Sequence, residues 1–305
     1  MQTFYHTGWR PDTISIAWDL GNYCNQDCSY CLLVHKAGNF SNGSWEIVES
    51  FADKLLVFCE KAGLIPEIRF GGSGETTAVP YFGDLLRTLN NRARCSIETN
   101  LSPSIEWWEN HGYMISGVHG TIHYEYTTLR ESAEKIQKIM EISNRVRVTV
   151  PMLPDRFQEQ LDDISWMNDT LGISVGMQAL FINPTDPLLL HSDYTPEQRE
   201  ILIGTDTTDI YVIKSDTDKN KTMTHSQVHW SENDSLREFT DWQCYAGIDT
   251  LVIDSRGYVR RGWCTQHTME QVHMSEWQWS LEPQACRMMW CRHSHDLLAR
   301  KIKDY

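Results

Sequence analysis

The chain has 305 residues, enough for one large α/β barrel or two domains, and 41% of them are hydrophobic, as in an ordinary globular protein. A net charge of −14 argues against a long surface that follows phosphates, since nucleic-acid binders are usually basic. The sequence contains neither a run of the ~18 apolar residues that a membrane helix needs nor a signal peptide at its start. We therefore expect a cytoplasmic protein with no membrane partner and no extended nucleic-acid partner.

Hydrophobic periodicity predicts six strands that alternate with five helices. The strands begin near residue 14 and then cover 67–70, 94–100, 115–123, 146–152 and 173–181, and the helices cover 44–63, 81–91, 104–111, 128–143 and 157–171. Ser44 is expected to cap the first helix and Gly63 to end it. Such an alternation is typical of parallel βαβ units, so the predicted fold class is α/β, with a partial (β/α)6 TIM-type barrel.

Polar residues are concentrated where the predicted strands end. Barrel enzymes place their chemistry on the loops that follow the carboxyl ends of their strands. In chain order these positions hold Cys24–Cys31, Gly71–Glu75, Thr99 with Asn100, His123, Met152 and Gln178. This coincidence predicts one site at that end of the barrel.

The rest of the chain predicts a connection and a smaller domain. Residues 183–193 suggest an exit loop, 195–202 a short helix, and 205–234 a connection that contains a β-ribbon with a turn near 216–220. Residues 251–259 predict a β-hairpin, and 296–303 a C-terminal helix. We therefore predict a barrel over 1–204, a connection over 205–239 and a small α+β domain over 240–305.

Seven of the nine cysteines fall into two groups, one of three and one of four. Cys24, Cys28 and Cys31 share a short loop, and Cys244, Cys264, Cys286 and Cys291 lie near the end of the chain. Soft thiolates select iron–sulfur clusters or zinc, so the two groups suggest two metal centres. If the first group bound zinc, it would need a fourth ligand such as His35. The other alternative to a cluster is that these three thiols are buried and bind no metal.

The CxxxCxxC spacing of Cys24, Cys28 and Cys31, with Tyr30 before the last cysteine, resembles the signature of the radical SAM superfamily. Gly71–Glu75 resembles the Gly-Gly-Glu segment of that family, although Thr76 stands where relatives often have proline. The resemblance implies a [4Fe-4S] cluster whose open iron is chelated by S-adenosylmethionine (SAM). It also implies reductive cleavage of SAM to a 5′-deoxyadenosyl radical, with electrons from a flavodoxin or a ferredoxin.

The same resemblance implies roles for the other strand-end residues. Tyr30 would pack near the adenine, and Gln178 would line the adenine pocket. The segment Gly72, Ser73, Gly74 and Glu75 would bind the methionine ammonium group through its backbone. Thr99 and Asn100 would contact the ribose or the carboxylate, and His123 would contact SAM or substrate or act as an acid–base group. The alternatives are a core position for Tyr30 and His123 and strand-end capping for Thr99 and Asn100.

Cys244, Cys264, Cys286 and Cys291 resemble the ligands of the twitch domain, a shortened relative of the SPASM domain, which houses an auxiliary [4Fe-4S] cluster. Four cysteines saturate such a cluster, so it would transfer electrons or tune the site instead of binding substrate. The alternative is a structural zinc site with four cysteine ligands. His293 and His295 stand where relatives often carry further cysteines.

These motifs do not identify the substrate. Because the first barrel strand begins near residue 14, we expect no leader-binding domain before it, and we favour a small molecule or a modified nucleoside. Oxidation and isomerisation both remain possible reactions. The alternatives are a maturase of a ribosomally made peptide, a modifier of a nucleic-acid base, and a zinc-stabilised binding protein without turnover.

Overall fold

The computed structural model describes residues 1–31, 42–143, 145–181, 190–203, 210–215, 221–224, 238–264, 272–278, 282–286, 291 and 294–303. The strands are β1 Gln2–His6, β2 Thr13–Trp18, β3 Ile65–Phe70, β4 Arg94–Thr99, β5 Ile115–Thr121, β6 Val146–Pro151, β7 Val175–Gln178, β8 Ile210–Ser215, β9 Lys221–Thr224, β10 Gln243–Cys244, β11 Thr250–Ile253, β12 Tyr258–Arg260, β13 Val272–His273, β14 Gln284–Ala285 and β15 Lys301–Lys303. The helices are α1 Trp45–Ala62, α2 Phe82–Leu89, α3 Ile105–His111, α4 Leu129–Ile142, α5 Phe157–Leu171, α6 Pro196–Ile203 and α7 Ser294–Leu297. None of the helices in these ranges is both long and apolar enough to cross a membrane.

The chain folds into two units whose segments alternate along the sequence. The first unit comprises Met1–Trp18, Asn42–Ile68 and Asp206–Tyr305, and the second comprises Asp19–Ser41 and Arg69–Thr205. The three predicted domains, 1–204, 205–239 and 240–305, divide the chain by function and stay a prediction.

The second unit contains the parallel βα repeats that the sequence predicts. Strands β4, β5, β6 and β7 pair in chain order, and every pair is parallel. Buried β-branched side chains such as Val118 and Val148 fill the strands because both faces are covered. Helix α4 begins at a capping box, in which Thr128 and Glu131 bind each other's backbone N–H groups. A mixed α/β fold with a parallel sheet is therefore confirmed, and closure into a six-unit partial barrel stays a prediction.

Two of the predicted strands are at least two residues shorter than expected. Strand β5 ends at Thr121 instead of residue 123, and β7 covers Val175–Gln178 instead of 173–181. Beyond Thr121 the chain enters a turn, in which the backbone N–H groups of Tyr126 and Thr127 donate to the His123 carbonyl oxygen. His123 therefore lies in a loop and not on a strand.

The first unit contains a sheet region of mixed direction beside helix α1. Strand β2 pairs in parallel with β11, which pairs antiparallel with β12, as the predicted 251–259 hairpin requires. Phe51 of α1 packs edge to face on Trp18 and on Trp277, with ring centroids 5.3 and 5.4 Å apart. Gly63 ends α1 in the left-handed conformation as predicted, but Ser44 makes no side-chain cap and interacts with Glu46 instead.

A second, antiparallel sheet of the first unit has the strand order β14-β10-β15-β1-β8-β9. Strands β8 and β9 form the predicted ribbon, although its turn at 216–220 lies outside the described residues. The predicted C-terminal helix over 296–303 is wrong, because the chain forms only the four-residue α7 and then strand β15. Strand β15 pairs with β1 and β10, which come from distant parts of the sequence. These long-range pairings override the local helical pattern.

Candidate active site

Most of the N-terminal residues that the sequence singled out, though not Gly71 or Met152, line a cavity of about 400 Å³ in the second unit. Those residues are Cys24, Cys28, Cys31, Tyr30, Gly72, Ser73, Gly74, Glu75, Thr99, Asn100, His123 and Gln178. Gln26, Glu98, Thr121, Pro151, Ala179, Leu180 and Phe181 complete the lining. The cysteine loop and the strand-end loops thus face one space, and the roles of these residues in binding stay predictions.

The glycine segment lies directly against the cysteine loop. The Glu75 N–H donates to the Tyr23 carbonyl oxygen over 2.7 Å. A Cβ atom at Gly74 would lie 2.9 Å from the Gly21 carbonyl oxygen and closer still to that of Tyr23. The buried carboxylate of Asp19 accepts from the Ser73 N–H over 3.1 Å. Gly74 is therefore required for close backbone packing, and Asp19 is a site residue that sequence reasoning missed.

Glu75 holds the loops after β3 and β4 together. Its buried carboxylate accepts from the Thr77 N–H over 3.1 Å, the Thr99 hydroxyl over 2.8 Å and the Asn100 N–H over 2.6 Å. The Asn100 side-chain amide in turn donates to Asn25 of the cysteine loop over 2.8 Å. The polar groups of Glu75, Thr99 and Asn100 thus fix loop geometry, as the strand-end capping alternative for Thr99 and Asn100 expects.

The loop after β5 holds the cysteine loop from another side. The Tyr30 hydroxyl and His123 Nδ1 are 2.6 Å apart, and their rings stack at a centroid distance of 6.0 Å. The Ser29 N–H donates to Glu125 over 2.8 Å, and the Asp27 N–H donates to the Tyr126 hydroxyl. Sequence reasoning assigned no role to Glu125 or to Tyr126. Their position just after a strand end was the available signal.

Burial governs the ionisation of the groups in this cavity. It raises the pKa of Cys28 to about 11, an effect that the hydrogen bond from Tyr30 partly opposes. Burial also raises the pKa of Cys24 and of Tyr30. For His123, burial lowers the pKa to about 4, against the opposing effect of Glu125. The imidazole is therefore neutral at pH 7, and the same low pKa makes it a weak base.

A second cavity of about 670 Å³ adjoins the first and shares Tyr30 and Leu180 with it. It is lined by Ser29, Tyr30, Tyr124, Glu125, Leu153, Pro154, Asp155, Arg156, Leu180, His191 and Asp193. The Arg156 guanidinium in it is already paired with Glu159, at 2.6 Å. Tyr194 positions the shared wall, because its hydroxyl accepts from the Leu180 N–H over 3.0 Å and donates to the Met152 carbonyl oxygen.

The first unit brings the four C-terminal cysteines together. The Cys264 thiol interacts electrostatically with those of Cys291, Cys244 and Cys286, and burial raises its pKa. The buried Asp296 carboxylate accepts from the Trp263 and Cys264 N–H groups, each over 2.8 Å, and so fixes the loop that carries Cys264. The position of Asp296 beside this group could not be predicted from its place in an expected helix.

A buried lysine accompanies these cysteines. Lys301 is 1% exposed and lies opposite Cys244 in the β10–β15 pair. Burial by itself lowers the pKa of Lys301, but the charges of Cys291, Cys244 and Asp296 outweigh it, so that its pKa is raised. Negative charge on these groups therefore favours the charged form of the amine.

The donor chemistry of both cysteine groups fits iron–sulfur clusters. Cysteine thiolates are the usual ligands of [4Fe-4S] clusters, and three leave one iron open whereas four saturate it. In the described ranges, no three His, Cys, Asp or Glu side chains surround a point that could hold a single metal ion. His295 is buried, with Nε2 3.2 Å from the Leu251 carbonyl oxygen, while His35 and His293 lie outside the described residues.

No protein-family model and no curated protein sequence matches this chain. Among solved structures, anSMEcpe with bound AdoMet matches with a TM-score of 0.53 and 12% identity, over 87% of this chain and 78% of that one. The structure of anSMEcpe with AdoMet and the Cp18Cys peptide matches with a TM-score of 0.52 and 13% identity, over 82% and 74%. BtrN in complex with AdoMet and 2-DOIA reaches a TM-score of only 0.34 at 14% identity, over 43% and 55%, which supports no argument. Since anSMEcpe is a radical SAM enzyme, this chain has the fold of the radical SAM enzymes, and the resemblance that its cysteine motif indicated is confirmed at the level of the fold.

Proposed function

We propose that this protein is a radical SAM enzyme with two [4Fe-4S] clusters, which abstracts a hydrogen atom from an unactivated carbon of its substrate. The observation that carries the proposal is the 400 Å³ cavity, in which the three motif cysteines face the glycine segment and the ends of several strands. When bound, a cluster with an open iron would chelate SAM and, on reduction, supply a 5′-deoxyadenosyl radical.

The residues of this chain would provide the ligands and the cofactor pocket. Cys24, Cys28 and Cys31 would bind the first cluster, and the backbone of Gly72–Glu75 would bind the methionine end of SAM. The side chains of Thr99 and Asn100 already hold loops together, so they would act on SAM mainly through the shape of the pocket. Neutral His123 lines the same cavity and would contact SAM or the substrate.

The second cavity provides the space for a substrate. It adjoins the cofactor cavity at Tyr30 and Leu180, so a substrate carbon near this wall would lie close to a radical generated in the first cavity. A small molecule or a nucleoside-like compound fits a cavity of about 670 Å³. A peptide is the second candidate, because the anSMEcpe structure of similar fold contains one.

Cys244, Cys264, Cys286 and Cys291 would bind the second cluster. Four thiolates leave no open iron, so this cluster would transfer electrons without binding substrate. A flavodoxin or a ferredoxin would supply the electrons for SAM cleavage.

The decisive measurement is iron and sulfide per chain after anaerobic reconstitution, in wild type and in Cys24→Ala/Cys28→Ala/Cys31→Ala. We expect about eight irons in wild type and about four in the triple variant, with SAM cleavage to 5′-deoxyadenosine only in wild type. About four irons in both proteins would contradict a cluster on the N-terminal loop. Bound zinc without absorbance near 400 nm would instead support the zinc-stabilised binding protein.

A further inference from the structure

Lys301 occupies an unusual environment for a lysine. Its side chain is 1% exposed, and Nζ donates to the carbonyl oxygens of Asp296 over 2.5 Å and of Ala299 over 2.8 Å. The rings of Phe4 and Phe239 lie on the amine, with centroids 5.4 and 5.1 Å away. Lysine is almost never fully buried unless its charge is paired.

The described residues provide no carboxylate in an ion pair with this amine. The Asp296 carboxylate is the nearest candidate, but its two oxygens accept from the Trp263 and Cys264 N–H groups. Lys301 lies opposite Cys244 in the β10–β15 pair, and the other acidic groups near its amine are the thiols of Cys291, Cys244 and Cys264. Neutral thiols do not compensate a buried cation, whereas thiolates bound to a cluster do, because a [4Fe-4S] cluster with four thiolate ligands carries net negative charge.

We infer that Lys301 is the counter-charge of the cluster bound by Cys244, Cys264, Cys286 and Cys291, and that it raises the reduction potential of that cluster. Reduction adds one electron and therefore one negative charge to the cluster, so a nearby fixed cation stabilises the reduced form more than the oxidised form. Low dielectric around the amine increases this difference. The inference rests on the proposed function, which supplies the second cluster. The charge of the amine is inferred from the described contacts of Lys301.

The test is a redox titration of the second cluster alone, in the full chain with Cys24, Cys28 and Cys31 replaced by alanine. In this background we compare Lys301 with Lys301→Gln, which keeps hydrogen-bond donors and removes the charge. Lys301→Met is a second neutral variant, and Lys301→Arg is the control that keeps the charge. The signal is the visible absorbance and EPR spectrum of the reduced cluster during titration with dithionite.

We expect the neutral variants to be at least tenfold harder to reduce, which is a midpoint potential lower by 59 mV for one electron, and Lys301→Arg to stay near the parent. An unchanged potential in a neutral variant with full iron content would overturn the inference while leaving the cluster established. If both neutral variants lose iron and Lys301→Arg keeps it, the counter-charge is needed for cluster binding, which supports the inference. Loss of iron in Lys301→Arg as well would indicate a packing role and overturn it. A parent chain without about four irons would refute the second cluster of the proposed function, and the inference with it.

Discussion

Gly74→Ala tests the packing of the glycine segment on the cysteine loop. The added Cβ atom would lie 2.9 Å from the Gly21 carbonyl oxygen, whereas ordinary contact begins at 3.4 Å. The two loops must therefore separate by at least about 0.5 Å, and more at the Tyr23 carbonyl oxygen. Insertion of a methyl group into a packed site costs about 1–3 kcal/mol, and a 1 Å displacement of reacting groups can lower a rate about 100-fold.

We expect Gly74→Ala to bind SAM about tenfold more weakly and to produce 5′-deoxyadenosine about 10- to 100-fold more slowly. Isothermal titration with SAM and chromatography of the products measure these effects on reconstituted enzyme. The matched control is Gly117→Ala in β5, where a Cβ atom would meet only the Ser96 Cβ, at 3.4 Å. Wild-type SAM affinity and cleavage rate in Gly74→Ala would refute the argument that this backbone contact shapes the cofactor site.

Three further predictions concern other contacts. Glu125→Ala leaves the Ser29 N–H without its acceptor, so we expect about tenfold weaker SAM binding, whereas Glu109→Ala, at an exposed position of α3, is expected to bind normally. Arg260→Met removes the buried cation from the Asp254 carboxylate and leaves it only exposed Arg256, 3.7 Å away, so urea unfolding is expected to show a loss of about 3 kcal/mol, against at most about 0.5 kcal/mol when Arg256→Ala removes that exposed partner instead. The Thr128 N–H and hydroxyl lower the pKa of Glu131. The Glu131 carboxylate therefore stabilises the folded chain when the pH is above the unfolded-state pKa of Glu131, and this stabilisation is lost as the pH falls through its folded-state pKa. Thermal unfolding of Glu131→Gln against wild type is expected to differ at neutral pH and to converge in acid; an equal difference at every pH would contradict this role.

The sequence predicted the elements of the parallel repeat well because each is specified locally. Helix α4, for example, has its capping box and its buried stripe within one continuous segment. Strands β1 and β15 were not predicted, because each is stabilised by a partner from the opposite end of the chain. Short strands of this kind carry too few residues for a periodic signal.

The same distinction separates the site residues that were found from those that were missed. The cysteines and glycines follow spacings that chemistry constrains, so their positions alone indicated them. Asp19 binds Ser73 of the glycine segment, and Tyr126 binds Asp27 of the cysteine loop, in both cases across a long sequence separation. No local pattern specifies such contacts, and only the folded chain shows that four loops meet at the cysteines.

The two cysteine groups differ in burial, which predicts the order in which they lose iron. Cys24 and Cys28 are half-buried, as are Cys244, Cys264 and Cys286, but Cys31 is exposed whereas Cys291 is buried, and Cys264 is held through its N–H by Asp296. Oxygen and chelators reach exposed thiolate ligands first. When air is admitted to reconstituted enzyme with a chelator, we expect absorbance near 400 nm to fall in two phases of similar amplitude, the faster of which is absent from Cys24→Ala/Cys28→Ala/Cys31→Ala. A fast phase that persists in this variant would show that the C-terminal cluster is the more accessible one, and would contradict the protection that we attribute to the burial around Cys264 and Cys291.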